Sequence, residues 1–342
     1  MLDDLKYIHE RDAADALGIA EKQWQQLGYK FQTGQTEVDV DNIVYAGMGG
    51  SALAGLISQS WPAFNKPFEL VRNYDIPEYV SSRTYFIASS YSGNTEETLS
   101  ALAQAEAKGA QIAVMAGGGK LAEIAKAKGY PLALLPSVQQ PRYALFYSLK
   151  ALLTLLTSTK LVDVDWLQKL EAVGPMLQSA AAAWAPTVPT THNPAKRLAL
   201  ECIGKSIVVY AGPKLYPAAY KWKISFNENA KQVAWVNQYS EFNHNEFIGW
   251  SKQPVDKPYT IIELKSDLEH ERIQQRFTVS NRLLSGLWPH PHSIQTEGRS
   301  LIEQLLWTIT LGDFVTLYTA LLNGLNPTPV ELVETLKREL TS

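Results

Sequence analysis

The feature that most constrains the fold is a strand-like run that ends in a glycine turn and continues into a helix-like run. A β-branched apolar segment at 42–46 meets the glycine turn GMGGS at 47–51, and a stretch rich in alanine and leucine follows. The order recurs at 84–88, where the strand-like run enters a polar turn before the helical segment 96–108. Strands that alternate with helices of this length predict parallel βαβ units, with both faces of the sheet covered.

The alternation occurs twice along the chain. In the first half, strands are predicted at 42–46, 84–88, 111–115 and 131–135, with helices at 96–108 and 121–128. In the second half, strands are predicted at 206–211, 233–236, 259–264 and 293–296, helices at 214–226, 266–283, 300–322 and 330–340, and a polar loop at 239–249. We therefore predict two tandem open α/β domains. The predicted boundaries are a helical extension 1–35, a first domain 36–150, a helical linker 151–194 and a second domain 195–342.

Composition excludes several classes of function. The 342 residues suffice for two domains, and a net charge of -3 leaves no basic excess for nucleic acid or an anionic membrane. Cys202 is the single cysteine, so it predicts a buried thiol in a reducing compartment. The N-terminus is acidic where a signal peptide is basic, and no run approaches the roughly 20 apolar residues of a membrane span. A cytoplasmic protein is expected.

The first glycine turn has two interpretations. Gly47, Gly49 and Ala52 satisfy the loose dinucleotide-binding fingerprint, because they lie between a strand and a helix. That fingerprint also expects an acidic residue at the end of the second strand, and the segment 68–73 has Glu69 near its start and no acid at its end. The sequence therefore leaves a nicotinamide-binding site as an alternative for this turn.

The second turn concentrates hydroxyl groups where a strand enters a helix. Ser90, Ser92, Thr95 and Thr98 lie there, and Ser51 follows the neighbouring glycine turn. Hydroxyls and the unpaired N–H groups of a helix N-terminus together can bind a phosphate monoester dianion. The alternative is that the hydroxyls only cap the helix. We favour a phosphate-binding site.

These residues resemble the sugar isomerase (SIS) family of phosphosugar-binding domains, and the second half narrows the resemblance to bifunctional phosphoglucose/phosphomannose isomerases. The matching segments are GMGGS at 47–51, SYSGNTEET at 90–98, NENAK at 227–231, EFNHNE at 241–246, Gly249-Trp250, Gly312-Asp313, NPTP at 326–329 and Lys337. The resemblance spans residues 36 to the end. It implies two tandem, flavodoxin-like SIS domains with flanking helices.

The resemblance also implies a reaction and a set of site residues. The reaction interconverts glucose 6-phosphate, and mannose 6-phosphate as well, with fructose 6-phosphate through a cis-enediolate, without cofactor or metal, in glycolysis and gluconeogenesis. Such chemistry needs a base, a ring-opening acid, a cation near the oxyanion and a phosphate anchor. The implied residues are Glu228 as the base, His244 for ring opening, Arg142 beside the enediolate, Lys337 near the ring oxygen, Thr328 for specificity, and Gly49, Gly50, Ser51, Ser90, Ser92 and Thr95 for the phosphate.

In this family the histidine acts in the neighbouring subunit's site, so a homodimer with shared sites is implied for His244. Without the resemblance, Glu228 reads as a solvated helix residue and Lys337 as a terminal surface charge. Other candidate carboxylates are Glu201, Glu241 and Glu246; His290 and His292 do not complete a metal site. A phosphosugar sensor without turnover and an aminosugar-phosphate isomerase remain the alternative functions.

Overall fold

The computed structural model describes residues 1–34, 37–62, 64–252 and 258–341. These residues form two compact units, Lys22–Met176 and Met1–Glu21 together with Leu177–Ser342. The chain begins with helices α1 (Leu5–Arg11) and α2 (Ala16–Lys22), followed by a 3-10 helix. The N-terminal segment is therefore divided between the two units.

The unit 22–176 is built around a five-stranded parallel sheet. Its strands and helices are β1 (Asn42–Gly47), α3 (Gly49–Ser58), β2 (Phe68–Val71), β3 (Thr84–Ser90), α4 (Glu96–Ala107), β4 (Gln111–Ala116), α5 (Gly119–Lys128), β5 (Leu132–Leu134), α6 (Leu145–Ser158), α7 (Asp165–Glu171) and the start of α8 (Gly174–Trp184). Residues of β3 are buried along the whole strand, as expected for a sheet covered by helices on both faces.

The strand order of this sheet is β2-β1-β3-β4-β5. This is the flavodoxin-like order. The chain adds β2 on one side of β1 and then β3, β4 and β5 on the other side, so the topological switch point lies between β1 and β3. Gly47 at the end of β1 is paired with Ser89 near the end of β3, so the two turns that follow lie side by side. Ligands of open α/β sheets bind at the carboxyl ends of the strands at this point.

The second unit contains a four-stranded parallel sheet. Its elements are α9 (Pro194–Cys202), β6 (Ser206–Ala211), α10 (Tyr216–Glu228), β7 (Ala234–Gln238), α11 (Glu241–His244), α12 (Glu246–Trp250), β8 (Tyr259–Lys265), α13 (Glu271–Leu283), β9 (His292–Gln295), α14 (Leu301–Leu322) and α15 (Glu331–Thr341). The order β7-β6-β8-β9 repeats the first four positions of the other sheet. The prediction of two tandem open parallel sheets is confirmed.

The predicted polar loop at 239–249 is wrong, because the segment folds into α11 and α12. Phe242 and Trp250 are buried there against Tyr210 and Trp288, in an aromatic cluster on one face of the sheet. Asn245 begins α12 by accepting the N–H of Glu246 at 2.6 Å. The sequence of this segment is mostly polar and therefore suggested a loop. Its two aromatic rings, Phe242 and Trp250, pack on the sheet, and this packing stabilises the two short helices.

Helix α14 forms the core of the second unit. It starts with a capping box between Ser300 and Glu303. Among the described residues it is the helix long and apolar enough to cross a membrane, and 94% of its most apolar window is buried inside the chain. Cys202 is also buried, as predicted, and burial raises the pKa of its thiol to about 12.

Candidate functional site

Ser51 joins the two turns at the switch point of the first sheet. It lies in the first turn of α3, and its Oγ accepts a hydrogen bond from the backbone N–H of Tyr91 at 2.9 Å. The turns approach so closely that a Cβ atom on Gly47 would lie 3.0 Å from the carbonyl oxygen of Ser89. The Ser51 hydroxyl is therefore held between the ends of β1 and β3.

Three hydroxyls of the predicted loop, those of Ser90, Ser92 and Thr95, form one hydrogen-bonded cluster, whereas the buried Thr98 Oγ1 has no hydrogen-bond partner among the described residues. Ser90 Oγ lies 2.7 Å from Thr95 Oγ1 and 3.4 Å from Ser92 Oγ. Backbone N–H groups of Gly93 and Asn94 donate to Ser90 Oγ and Ser92 Oγ at 3.1 and 3.3 Å. Thr95 precedes α4 but makes no side-chain capping bond to it. The capping alternative therefore does not describe the Thr95 hydroxyl, which bonds to Ser90.

Gly93 is required by the close approach of a third turn. Its φ is +71°, in the left-handed region, and a Cβ atom on it would lie 1.9 Å from the carbonyl oxygen of Gly118. On the other side, a Cβ atom on Gly119 would lie 2.3 Å from the carbonyl oxygen of Ser92. The turn after β4 thus packs directly on the hydroxyl loop and fixes its backbone.

Arg142 lies beside the glycine turn of the same unit. It belongs to a 3-10 helix, Pro141–Tyr143, and a Cβ atom on Gly50 would lie 3.3 Å from its backbone nitrogen. The residue is 1% exposed, and its Nη1 donates to Gln140 Oε1 at 3.3 Å. A guanidinium keeps its charge when buried. The residue whose backbone packs against Gly50 therefore carries a permanent positive charge.

Tyr91 is a residue that the sequence analysis did not single out. Its hydroxyl donates to the carbonyl oxygen of Pro136 at 3.1 Å and accepts the N–H of Val138 at 2.5 Å. Its backbone N–H binds Ser51. Tyr91 therefore connects the hydroxyl loop, the glycine turn and the segment that leads to Arg142. A tyrosine between two serines in a turn carries no signal of such a role in the sequence.

In the second unit, Lys231 connects the end of α10, where Glu228 lies, to the turn at 326–329 that contains Thr328. Glu228 is the last residue of α10 and is half-buried. The Lys231 ammonium donates to the carbonyl oxygen of Glu228 at 2.9 Å and to those of Asn326 and Pro327 at 3.0 Å. Thr328 follows, and its N–H donates to Asn326 Oδ1 at 3.0 Å. The structure thus brings together the segments of the predicted base and the predicted specificity residue.

Helix α10 is held on α14 by a buried polar contact. The ammonium of Lys221 pairs with the carboxylate of Asp313, and Ser225 Oγ donates to the same carboxylate at 3.1 Å. Trp222 packs directly against Gly312, and a Cβ atom at this position would lie 2.2 Å from the indole nitrogen, so a residue larger than glycine would not fit. This explains the Gly312-Asp313 pair in the sequence.

His244 is exposed at the end of α11, and its segment is anchored by Glu246. The Tyr210 hydroxyl donates to Glu246, Asn237 Nδ2 donates to its Oε2 at 2.7 Å, and Trp250 Nε1 donates to the Tyr210 oxygen at 3.0 Å. Burial, followed by the nearby Glu246 carboxylate, raises the pKa of Tyr210, which keeps it a donor. Glu246 is therefore a structural acceptor rather than an open carboxylate.

The remaining candidates are surface residues. Lys337 is on α15, where its ammonium pairs with Glu334 at 2.8 Å and its side chain is 63% exposed. Glu201 and Glu241 are also exposed. Within the described part of the chain, no group of three or more histidine, cysteine, aspartate or glutamate side chains could hold a metal ion.

The second sheet carries a carboxylate at the turn that corresponds to the glycine turn of the first. Glu269 Oε1 accepts the N–H of Lys214 at 2.7 Å, just before α10. A Cβ atom on Gly212 would lie 2.3 Å from the same oxygen. Burial is the largest influence on Glu269 and raises its pKa. An internal acidic group therefore occupies this turn, where the first sheet has hydroxyls.

Comparison with known proteins agrees with this architecture. Residues 191–340 match the family described as bacterial phospho-glucose isomerase C-terminal SIS domain. A bifunctional phosphoglucose/phosphomannose isomerase of Caldicellulosiruptor bescii is 36% identical over 321 residues, which are 92% of this chain and 94% of that protein. One of Thermoplasma volcanium is 35% identical over 303 residues, covering 88% of this chain and 91% of that protein.

The fold is also that of a solved structure. A glucose-6-phosphate isomerase like protein from Thermus thermophilus has a TM-score of 0.66, with 18% identity and 98% of each chain covered. At that identity the likeness concerns the fold. The sequence similarity extends over both halves of the chain, and in the first half the glycine turn and the hydroxyl loop lie at the carboxyl ends of β1 and β3. This chain belongs to the bifunctional phosphoglucose/phosphomannose isomerase family.

Proposed function

We propose that this protein is an aldose-ketose isomerase that interconverts fructose 6-phosphate with glucose 6-phosphate and mannose 6-phosphate. The observation that carries the proposal is the 36% identity over 92% of the chain to the bifunctional phosphoglucose/phosphomannose isomerase of Caldicellulosiruptor bescii. The proposed setting is the cytoplasm, in glycolysis and gluconeogenesis, and the proposed form is a homodimer.

The phosphate is bound at the switch point of the first sheet. Hydroxyls of Ser51, Ser90, Ser92 and Thr95 lie at the ends of neighbouring strands, and Gly49 and Gly50 expose the backbone at the start of α3. Such hydroxyls and helix N-terminal N–H groups suit a dianion. Arg142, which is buried beside Gly50, is proposed to stabilise the enediolate, because a fixed positive charge stabilises an oxyanion without titrating.

Glu228 is proposed as the base that moves one proton between C1 and C2. Starting from open-chain fructose 6-phosphate, its carboxylate removes a C1 proton, the electron pair forms the C1–C2 double bond of the enediolate, and the same proton returns to C2. The C2 carbonyl electrons move to O2, and the hydroxyl proton of O1 is transferred to O2. When C2 takes up the proton from Glu228, the O1 lone pair forms the C1 carbonyl, so O2 ends as a hydroxyl and O1 as the aldehyde. His244 and Lys337 are proposed to assist ring opening, because imidazole and ammonium groups can transfer a proton to or from the ring oxygen.

The test is turnover of the purified protein with fructose 6-phosphate in the presence of a chelator. Both aldose phosphates are measured, and Glu228→Gln serves as the variant that keeps size and hydrogen bonding but removes the base. We expect both products from the wild type and a loss of about 100-fold or more in kcat for the variant. Binding of the sugar phosphate without either product would refute the isomerase and support the sensor or the aminosugar-phosphate alternative.

A further inference from the structure

Lys231 has no assigned role, yet its ammonium lies at the centre of the contact between the two turns of the second unit. Its Nζ lies within hydrogen-bond distance of four carbonyl oxygens, those of Glu228 and Asn229 at 2.9 and 3.3 Å and those of Asn326 and Pro327 at 3.0 Å each, which share its three N–H donors. The first pair belongs to the end of α10 and the second to the turn that precedes Thr328.

The backbone around Lys231 is shaped for this contact. Lys231 has φ of +52°, a conformation that side-chain-bearing residues seldom adopt. Beside it, Asn229 Nδ2 donates to Thr316 Oγ1 on α14 at 3.0 Å, so the end of α10 is tied to α14 as well. A cation is favoured at the carboxyl end of a helix because the last carbonyl groups carry a partial negative charge there. The end of α10 and the turn at 326–327 therefore share one cation.

We propose that Lys231 is a positioning residue that holds Glu228 at a set distance from Thr328 and thereby governs the ratio of the two aldose products. The inference rests on the proposed function, in which Glu228 is the base and Thr328 the specificity residue. Glucose and mannose 6-phosphates differ in configuration at C2, so the product depends on which face of the enediolate is presented to the base. A small displacement of the base relative to its neighbouring turn changes the two transition states unequally.

The experiment compares Lys231→Met with the wild type, Lys231→Arg and Lys223→Met. Lys223→Met removes the same charge from α10, the helix that Lys231 follows, at a half-buried position that does not contact the 326–327 turn through any hydrogen bond of the described residues. Initial rates of both products from fructose 6-phosphate are measured. For Lys231→Met we expect kcat to fall about 10- to 100-fold, with the product ratio changed at least about threefold. Lys231→Arg should recover much of the ratio, and Lys223→Met should keep it.

A purely structural role predicts another pattern. If Lys231→Met lowers both rates by the same factor and leaves the ratio unchanged, the positioning role is overturned. Hydrogen exchange provides a readout that does not need catalysis. Peptides that contain Glu228 and those that contain Asn326 should both exchange faster in Lys231→Met, and not in Lys223→Met.

The two hypotheses fail in different ways. If the wild type forms neither aldose phosphate, the proposed function fails. The hydrogen-exchange data then still test whether Lys231 couples the two turns. A joint increase in both turns supports the coupling of the turns by its ammonium. An increase in one turn alone, or in neither, overturns it.

Discussion

The hydroxyl of Ser51 accepts the backbone N–H of Tyr91 at 2.9 Å, so the turn after β1 and the turn after β3 are joined by a side chain rather than by the sheet alone. The same tyrosine binds the segment around Pro136 through its hydroxyl. Three pieces of chain that are far apart in sequence are thereby held around one end of the sheet. A ligand that binds there meets a preorganised set of hydroxyls, which reduces the entropy cost of binding.

Replacement of Ser51 by alanine should weaken substrate binding more than catalysis. The variant loses a proposed phosphate ligand and the bond from Tyr91, and a hydrogen bond to a charged group contributes about 1.5–3 kcal/mol. We expect KM for fructose 6-phosphate to rise roughly 10- to 100-fold, with a smaller change in kcat. Steady-state kinetics measures both. Ser58→Ala, on the same helix but buried at its other end, should leave KM unchanged. A KM within a factor of two of wild type for Ser51→Ala would exclude Ser51 as a phosphate ligand.

Replacement of Gly93 by alanine should disrupt the hydroxyl loop. The added Cβ would lie 1.9 Å from the carbonyl oxygen of Gly118, and the left-handed backbone adds about 1 kcal/mol of strain. Gly109→Ala is the matched control. Gly109 has a similar φ of +74°, but a Cβ atom there would meet no steric conflict, since the nearest atom, Ser82 Cβ, would lie 3.9 Å away. We expect Gly93→Ala to lower the free energy of unfolding by at least about 2 kcal/mol more than the control. Chemical denaturation of both variants decides this, and equal losses would show that the close approach has no energetic importance.

Glu269 should give the protein a pH-dependent stability. Burial raises its pKa above the ordinary value of 4.5, so the folded state retains the proton at a pH where the unfolded chain has released it. The stability contributed by the protonated form is complete below about 4.5 and is lost as the pH rises through the raised folded pKa. Glu269→Gln has no such titration. The free energy of unfolding of wild type, minus that of Glu269→Gln, should therefore fall as the pH rises above about 4.5.

Denaturant titrations at several pH values measure this difference. Glu271→Gln makes the same change of charge at an exposed position in the first turn of α13 and serves as the control. A difference between wild type and Glu269→Gln that is constant with pH, or that grows as the pH rises, would contradict the prediction.

Mixed dimers test whether His244 acts in the neighbouring subunit. Glu228→Gln and His244→Ala proteins are each expected to be inactive alone. If a site takes Glu228 from one subunit and His244 from the other, each hybrid dimer regains one intact site. Random mixing makes half of the dimers hybrid, so activity should return to about a quarter of wild type. Differently tagged chains allow the hybrids to be isolated, and hybrids without activity would refute shared sites.

Much of this protein could be predicted from its sequence. Alternation of apolar strand-like runs with helical segments predicted both parallel sheets, since each strand must be buried on two faces. The hydroxyl cluster was also predictable, because Ser90, Ser92 and Thr95 lie within six residues of one another at the end of a strand. Local spacing was sufficient in these cases.

Contacts between distant segments depended on the tertiary structure. The bond of Lys231 to Asn326 spans 95 residues, and that of Lys214 to Glu269 spans 55. Helices α11 and α12 replaced a predicted loop because Phe242 and Trp250 are buried against a sheet that their own segment does not form. The sequence by itself determined the strands, their parallel arrangement and the hydroxyl loop, since periodicity and turn residues act over a few positions. Only the tertiary structure decided which carbonyl, hydroxyl or carboxylate meets which donor, because burial and hydrogen bonding depend on atoms that the fold brings together.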